Sequence, residues 1–377
     1  MPDDVSSLPA VLRHALAVDA AIGTELDRLA DDLRRIDPGL APAAEALVDA
    51  AQGGKRLRGA LVCWSYAAHA GPGARAEDVL GAAVAVELVH LSALVHDNII
   101  DRSATRRGRP STHARFAAAH AASGASSQAA AEHGRNIAIL LGDVLLAAAP
   151  EPLRRCHVRP EVREHAQAAL VRLQVEVMAG QFLDVDAAAR RVDDPDRALT
   201  IATLKSGRYS VSRPLELGAL LAGADPDVAA RLLEVGDPLG IAFQLRDDLL
   251  GVFGDPAVTG KPAGSDLVEG KRTLLVAETL ARLGRDEGHD ERHDAGHDED
   301  PQAREAFEAA LGAADLDHAA VAALTATIEG CGAREAVEAH VTRCAAEAVD
   351  AIGRLPLDDE DRQALRDLAI WMTTRHR

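Results

Sequence analysis

Aromatic and sulfur-containing residues are scarce in this 377-residue chain. Only 2% of its residues are aromatic, and it has four cysteines and three methionines. Extended runs of alternating β-branched residues, which mark half-buried strands, are also missing. Ala, Leu, Arg, Glu and Asp dominate instead, and most of these residue types favour helix. The sequence therefore predicts an all-α fold.

Targeting and spanning signals are absent as well. The start, Met1-Pro2-Asp3-Asp4, lacks the basic and then apolar profile of a signal peptide. No run reaches the roughly 18 unbroken apolar residues that a spanning helix needs. The cysteines form no CxxC pair and have no companion histidine at zinc spacing, so we expect buried, reduced thiols. These features predict a cytoplasmic protein without a transmembrane segment.

The charge is acidic overall but unevenly placed. The net charge is −18, with 41 basic and 59 acidic residues, which argues against a general attraction to nucleic acid or to an anionic membrane. The basic residues nevertheless cluster, at Lys55, Arg56 and Arg58, at Arg106, Arg107 and Arg109, and at Lys271 and Arg272. Clustered cations in an acidic protein indicate one anionic ligand bound at one place.

Apolar residues recur at three- or four-residue steps between Glu77 and Asp101, which predicts a long helix. Similar stretches predict helices near residues 9–34, 41–69, 135–149, 160–190, 198–222, 226–252, 267–283, 302–312, 317–327, 333–353 and 359–374. Because helix follows helix, we expect a single bundle-like domain over residues 1–377. Two segments without a clear apolar face, 117–134 and 285–301, are predicted to be flexible loop insertions.

Two acidic patches stand out, each at the end of an apolar helical stretch. Asp97 and Asp101 are four residues apart and so project from one face of a helix. Asp247 and Asp248 form the second patch. Mg2+ prefers oxygen ligands and keeps coordination sites that substrate phosphate can occupy. The patches therefore predict Mg2+ ions held against a diphosphate.

Cations accompany both patches. Gly53-Gly54-Lys55-Arg56-Leu57-Arg58 begins a helix, where backbone amides, Lys55 and Arg58 can bind an anion. The compact basic turn Arg106-Arg107-Gly108-Arg109-Pro110 offers adjacent guanidiniums that suit phosphate oxygens. Lys205 lies on a helix between the patches, and Lys261 lies in the turn-rich loop after the second. Each motif alone is a weak signal, since a basic turn is usually just surface.

In sequence order, the chain carries Gly-Gly-Lys-Arg-Leu-Arg, His-Asp-Asn-x-x-Asp, Arg-Arg-Gly-Arg-Pro-Ser-x-His, Gly142-Asp143, Gly180-Gln181, Lys205 and Phe-Gln-x-x-Asp-Asp. This ordered set resembles the trans-isoprenyl diphosphate synthases of the polyprenyl synthetase family, and among them the geranylgeranyl diphosphate synthases. The match runs from about residue 50 to 275. It implies an isoprenoid synthase-type helical bundle around a central cavity, usually a homodimer, with the acidic patches on opposite walls.

The resemblance also implies a reaction. An allylic diphosphate (dimethylallyl, geranyl or farnesyl) would ionise and be attacked by isopentenyl diphosphate, head to tail. The cofactor would be Mg2+, three ions per active site, with Mn2+ able to substitute. Asp97, Asp101 and Asp247 would be metal ligands, with Asp248 as a further or supporting carboxylate. Arg106, Lys205, Lys261 and Gln244 would hold the allylic diphosphate. Lys55, Arg58, His90 and Arg107 would hold isopentenyl diphosphate.

The sequence departs from the family pattern at two positions. Asn98 stands where the first motif normally has a second Asp, and Gly251 stands where the second motif often has a third acid. Asp97 and Asp101 are the acids expected to bind metal, and Asp255 lies close enough in sequence to replace the missing third acid. We therefore expect an active enzyme.

Ser92 and Ala93, about one turn before Asp97, are both small, so no aromatic side chain blocks a growing prenyl chain there. This predicts a C20 product, geranylgeranyl diphosphate, or a longer one. Two other functions stay open: a class I terpene cyclase, and a catalytically weak partner subunit of a heteromeric prenyl synthase. Lys55, Arg58 and Arg107 argue against the cyclase, because they suggest a second diphosphate site.

Overall fold

The computed structural model describes residues 9–71, 73–255, 263–284, 301–313 and 316–374. Nearly all regular structure in these residues is helical, which confirms the all-α prediction. The helices are α1 (Ala15–Ile36), α2 (Ala41–Ala50), α3 (Leu57–His69), α4 (Leu80–Ile100), α5 (Thr112–Ala122), α6 (Ser127–Ala148), α7 (Pro150–Arg154), α8 (Pro160–Arg190), α9 (Pro195–Ile201), α10 (Arg213–Leu221), α11 (Pro226–Phe253), α12 (Ser265–Val268), α13 (Leu274–Leu283), α14 (Pro301–Ala310), α15 (His318–Gly330), α16 (Ala333–Gly353) and α17 (Asp359–Thr373).

Shorter elements complete the described chain. Three 3-10 helices cover Ala10–His14, Pro38–Leu40 and Ala76–Val79, and a π-helix, Ala202–Ser212, connects α9 to α10. Two-residue strands, β1 (Thr105–Arg106) and β2 (Arg109–Pro110), pair antiparallel as a hairpin. The π-helix is the unusual element, because such segments are rare and often occur at functional sites.

The chain divides into two compact units. Unit one comprises the described residues of Met1–Gln174, Arg213–Leu233 and Leu355–Leu368. Unit two comprises those of Val175–Ser212, Glu234–Arg354 and Ala369–Arg377. The single domain expected from the sequence stays a prediction.

The core of unit one forms where helices approach closely at small residues. At Gly218 of α10, a Cβ atom would lie 2.8 Å from the Tyr66 backbone nitrogen of α3, so only glycine fits. The Ser65 hydroxyl donates a hydrogen bond to the Leu215 carbonyl oxygen over 2.7 Å and links the same two helices. Trp64 and Leu88 are fully buried here. This packing fixes α3 and α4, the helices that carry the predicted site residues of unit one.

The core of unit two gathers leucines of α11 and α13 with aliphatic residues of α15 and α16. Leu245, Leu249, Leu275, Ile328 and Val337 are all buried in this cluster. Burial of each such side chain stabilises the fold by roughly 1.5–3 kcal/mol. The cluster therefore anchors α11, which carries the second acidic patch.

Most predicted helices are confirmed, but several boundaries are wrong. The predicted loop 117–134 is helical over most of its length, because α5 extends to Ala122 and α6 begins at Ser127. Its alanines favour helix, and the Ser126 hydroxyl caps α6 by accepting a hydrogen bond from the Ala129 amide. Stretch 41–69 is two helices rather than one, interrupted by the glycine loop. The predicted loop 285–301 lies almost entirely outside the described residues.

Two described helical stretches are long and apolar enough to cross a membrane by length and composition alone, Ala76–Ile100 and Ser127–Arg154. In the first, 67% of the most apolar window is buried inside the structure, as expected for a core helix. The second is 39% buried. The absence of a transmembrane segment and the cytoplasmic location stay predictions.

Candidate active site

The first acidic patch lies at the carboxyl end of α4. Asp97 is in the last turn, and Asp101 follows the helix directly with helical backbone angles, so the predicted four-residue spacing on one face is confirmed. This end of a helix carries partial negative charge, and the last turn of α4 has no basic residue to offset it. Two carboxylates are therefore placed where they repel each other and attract a cation.

The neighbouring helix α6 supports this end of α4. A Cβ atom at Gly142 would lie 2.5 Å from the His96 Cδ2 atom and would collide with the ring, so glycine is needed for the ring to lie against α6. The His96 Nε2 atom is 3.2 Å from the Ile139 carbonyl oxygen and 3.5 Å from the Asp143 carboxylate. The Gly142-Asp143 motif thus positions the residue immediately before Asp97.

The basic hairpin lies beside the glycine loop that precedes α3. Arg107 and Gly108 both have positive φ, 52° and 73°, which makes the tight two-residue turn of a hairpin. An Arg107 guanidinium N–H donates to the Gln52 carbonyl oxygen over 3.1 Å. A Cβ at Gly54 would lie 2.9 Å from the same guanidinium, so the glycine makes room for it. Two motifs more than 50 residues apart are thereby brought together.

His90, two turns before Asp97 on α4, lies in a strongly cationic environment. Burial lowers the pKa of His90 well below its usual value, and the positive charges of Arg58, Arg106, Arg107 and Arg56 lower it further. The imidazole is therefore neutral at pH 7. The predicted clustering of His90 with Arg58 and Arg107 is present in unit one, and the positive charge concentrated there favours a multiply charged anion.

Arg56 differs from the other three arginines because its side chain is only 6% exposed and holds the fold together. It begins α3 with a left-handed φ of 49°, and its Nε–H donates to the Asp19 carboxylate over 2.7 Å. The carboxylate of Glu87, which accepts from the Gly59 amide over 3.0 Å, lies 3.9 Å from the Arg56 guanidinium. These contacts place the amino end of α3, and with it Lys55 and Arg58.

A cavity of about 350 Å³ adjoins the hairpin. Its apolar wall includes Ala46, Leu91 and Val95, and its cationic wall includes Arg106 and Arg107. Two of the predicted diphosphate-binding residues therefore face open space rather than a packed core.

The predicted residues of unit two begin with Lys205, which lies in the π-helix. Its ammonium group is 2.5 Å from the Asp184 carboxylate on α8. Gly180, one turn before Asp184, allows this approach, since a Cβ there would lie 2.8 Å from the Lys205 Cα atom. Asp184 was not selected from the sequence, although its spacing from Gly180-Gln181 places it on the same helix one turn later.

The two adjacent acids of the second patch differ in environment. Asp247 is exposed on α11, whereas Asp248 is buried and accepts a hydrogen bond from the Gln244 amide over 2.7 Å. Burial raises the pKa of Asp248 to about 8, and the negative charge of Asp266 adds to the effect. Asp247 is thus the accessible acid of the pair, and Asp248 is the buried one.

A third carboxylate reaches this patch from the short helix α12. A Cβ at Gly251 would collide with the Asp266 carboxylate and would lie 2.6 Å from its carbon. Asp266, on α12, is 3.3 Å from the Lys271 ammonium, which also lies 2.7 Å from Glu269. Asp266 therefore occupies the space left by the missing side chain at Gly251. The sequence predicts Asp255 in that role, but Asp255 is exposed just after the end of α11.

Restoring an acid at position 251 should destabilise the protein. Because Gly251→Asp forces a side chain against Asp266 and adds a like charge in a buried region, we expect the free energy of unfolding to fall by about 3 kcal/mol. Urea denaturation measures the change. Gly330→Asp is the control, since nothing lies within 4 Å of a Cβ there. An equally stable Gly251→Asp protein would refute the placement of Asp266.

Lys261 lies outside the described residues, so its predicted contact with the diphosphate stays a prediction. Among the described residues, no group of three or more His, Cys, Asp or Glu side chains is gathered closely enough to hold a metal ion alone. One or two carboxylates completed by substrate phosphate oxygens are nevertheless typical of Mg2+ sites. The pair Asp97 and Asp101 in unit one, and Asp247 in unit two, each supply donors of that kind.

The chain is similar to a group of known enzymes. The polyprenyl synthetase family model matches residues 40–312. A (2E,6E)-farnesyl diphosphate synthase of Mycobacterium tuberculosis is 34% identical over 325 residues, 85% of this chain and 80% of that protein. A geranylgeranyl diphosphate synthase of Methanosarcina mazei is 38% identical over 234 residues, 62% of this chain and 65% of that protein.

Solved structures show the same relationship. The geranylgeranyl pyrophosphate synthase of Corynebacterium glutamicum, solved as a complex with isoprenyl diphosphate and magnesium, is 34% identical. It superimposes with a TM-score of 0.87 over 96% of this chain and 99% of that one. The all-α isoprenoid synthase fold is therefore confirmed, as is the enzyme class expected from the sequence. The chain belongs to the polyprenyl synthetase family, whose members are prenyltransferases.

Proposed function

We propose that the protein condenses isopentenyl diphosphate head to tail with an allylic diphosphate in a Mg2+-dependent reaction. The observation that carries this proposal is the gathering of Arg58, Arg106 and Arg107 around neutral His90, on the helix that ends in Asp97 and Asp101. With Arg106 assigned to the ionising diphosphate, the group still keeps Arg58 and Arg107 for another anion. It therefore supports a second diphosphate site, for the substrate that is not ionised.

In the reaction, the C1–O bond of the allylic diphosphate breaks and the diphosphate keeps the electron pair. The double bond of isopentenyl diphosphate supplies the pair for the new carbon–carbon bond, and the resulting cation loses a proton. The leaving diphosphate carries most of the developing negative charge, so preorganised cations give the largest stabilisation. Arg106 and Lys205 would bind this diphosphate, whereas Lys55, Arg58 and Arg107 would bind the other.

The negative charge of the leaving diphosphate would be neutralised by bound Mg2+. Asp97, Asp101 and Asp247 would hold it, with Asp248 in support. The relative from Corynebacterium glutamicum was solved with isoprenyl diphosphate and magnesium, which supports Mg2+ as the metal. Three ions per site, and replacement by Mn2+, are part of the same proposal.

Diphosphate release from separate and combined substrates tests the proposal. With Mg2+, we expect release only when isopentenyl diphosphate and an allylic diphosphate are both present, and none after addition of EDTA. Release from the allylic diphosphate alone, with a hydrocarbon product, would instead indicate a terpene cyclase. No release under any condition would indicate a partner subunit that needs a second chain.

The product we propose is geranylgeranyl diphosphate. Ala93 is half-buried and lies one turn before Asp97, about 40° away around the helix, so it is on the side of the acidic patch. Ser92 is only 2% exposed and lies on the far side of α4, within the packed core. Of the two small residues expected to set chain length, Ala93 is therefore the better placed to meet the growing chain.

Ala93→Phe should shorten the product. A benzyl side chain at this position would close the path of the prenyl tail about one turn below the diphosphate, so we expect C15 or C10 products to replace C20. Chromatography of the dephosphorylated products measures the distribution. Ala93→Ser, which keeps the residue small, should leave it as in the wild type. An unchanged distribution in Ala93→Phe would contradict the placement of Ala93 on the cavity wall.

We also propose a homodimer, as the resemblance implies. Five apolar side chains on α8 are 43–69% exposed and follow a four-three spacing along one face: Val171, Val175, Met178, Phe182 and Val185. Such a stripe is the pattern of a helix that packs against a partner helix. A second copy of the chain is the partner that would bury it in both subunits at once.

Phe182→Glu should produce a monomer at concentrations where the wild type is a dimer, because the charge cannot be buried in an apolar interface. Sedimentation velocity measures the mass of each. Leu16→Glu, at another exposed apolar position, is the matched control. A wild-type monomer at micromolar concentration, or a dimeric Phe182→Glu protein, would contradict the assignment of this face.

A further inference from the structure

Asn98, the neutral residue between the two acids of the first patch, has a defined partner in the structure. Its side-chain oxygen accepts a hydrogen bond from an Arg106 guanidinium N–H over 3.0 Å. Arginine carries only donors, so the amide oxygen must be the atom that faces it. Asn98 is 6% exposed, and a buried amide without a partner would destabilise the fold. The contact is therefore part of the folded state.

The backbone of Asn98 is tied to the same loop. Its carbonyl oxygen accepts from the Ser103 amide over 2.9 Å. Further along, the Ser111 amide donates to the Ala104 carbonyl oxygen over 2.9 Å and closes the base of the hairpin. Asn98 thus joins the carboxyl end of α4, which bears the acids, to the hairpin that bears the arginines.

The side chain of Asn98 is more buried than those of the two acids. Successive residues of a helix are about 100° apart, so Asn98 is turned away from Asp97. It also lines the cavity beside Arg106 and Arg107.

We infer that Asn98 is a positioning residue: it holds the Arg106 guanidinium in the direction in which that group meets the allylic diphosphate. The role needs an acceptor oxygen at position 98 but no charge and no metal bond. One guanidinium N–H is used by Asn98, and the remaining donors are left for phosphate oxygens. This inference rests on the proposed function, because it takes the ligand of Arg106 to be a diphosphate.

The variants Asn98→Ala and Asn98→Asp test the inference through separate kinetic constants. Asn98→Ala removes the acceptor oxygen. We expect the KM for the allylic diphosphate to rise about tenfold, because that is the effect of losing one hydrogen bond to a charged group. The KM for isopentenyl diphosphate and the Mg2+ concentration for half-maximal rate should stay within about twofold. Asn98→Asp keeps an acceptor oxygen, so all three values should stay within about threefold of the wild type.

A double-mutant cycle separates positioning from a general loss of structure. In an Arg106→Ala background, Asn98→Ala should cause no further rise in the allylic KM, because the group that it orients is gone. Independent effects that multiply would overturn the inference. So would a fall in the Mg2+ requirement, or a gain in rate above threefold, in Asn98→Asp, since either would mean that position 98 is a lost metal ligand.

Binding of inorganic diphosphate with Mg2+, measured by calorimetry, makes the test independent of turnover. Asn98→Ala should bind it about tenfold more weakly than the wild type, and Asn98→Asp equally well. Equal affinity of Asn98→Ala and wild type would overturn the positioning role. The three proteins could show these diphosphate affinities while the wild type forms no product. That result would overturn the proposed function and leave the role of Asn98 standing.

Discussion

Replacing Asp97 by alanine is expected to lower kcat for prenyl transfer by about a thousandfold, since an electrostatic contact to the developing charge is typically worth about 10²–10³ in rate. The carboxylate lies at the negative end of α4, where no basic residue of the last turn offsets it. Without this carboxylate, the site would bind Mg2+ more weakly. Less positive charge would then neutralise the leaving diphosphate. Steady-state rates at saturating substrates and Mg2+ measure the effect.

The control for this variant is Asp27→Ala. Asp27 is also a helical carboxylate, and it is exposed on α1. Its removal should leave kcat within about twofold, as for most exposed positions. Circular dichroism should show the same helicity in all three proteins. An Asp97→Ala enzyme with near-wild-type turnover would reject Asp97 as a metal ligand.

The second large effect concerns Asp247, and it asks whether the two acidic patches act on one diphosphate. Asp247→Ala alone should reduce kcat by about 10²–10³ for the same electrostatic reason. If both patches hold the same leaving group, the double variant with Asp97→Ala should be at most about tenfold slower than the worse single variant, because groups that act as a unit are not additive.

Losses in kcat that multiply in the double variant would show instead that the two patches act independently. Two independent sites would combine to a reduction of about 10⁵–10⁶, which would show that the patches serve different ligands. Asp350→Ala, an exposed carboxylate on α16, is the control in the Asp97→Ala background. Its addition should change nothing further.

The long helices were predictable because their apolar periodicity is strong. Asp97 and Asp101 could be selected together for the same reason, since a helical spacing of four residues fixes their common face. The boundary at Ser127 was missed because α6 begins with small and polar residues that show no apolar stripe. Propensity and a serine cap decide that boundary, and both are weak signals in sequence.

The contacts that organise the site were less predictable, since they join distant residues. Asp266 reaches Gly251 only because glycine has no side chain. The sequence shows that an acid is missing at position 251, but it does not show that Asp266 fills the space. Asp184 pairs with Lys205 because a π-helix presents the lysine to α8. The π-helix itself has no recognisable sequence signature. Asn98 looked like a harmless loss of an acid, and its role as an acceptor for Arg106 required the hairpin geometry.

The central claim, that this chain by itself joins isopentenyl units to an allylic diphosphate, is tested most directly by product analysis. Purified wild-type protein is incubated with Mg2+, labelled isopentenyl diphosphate and, in turn, dimethylallyl, geranyl and farnesyl diphosphate. We predict one labelled allylic product, geranylgeranyl diphosphate, with one diphosphate released for each unit added. Absence of a labelled chain-extended product with all three starters would contradict the account.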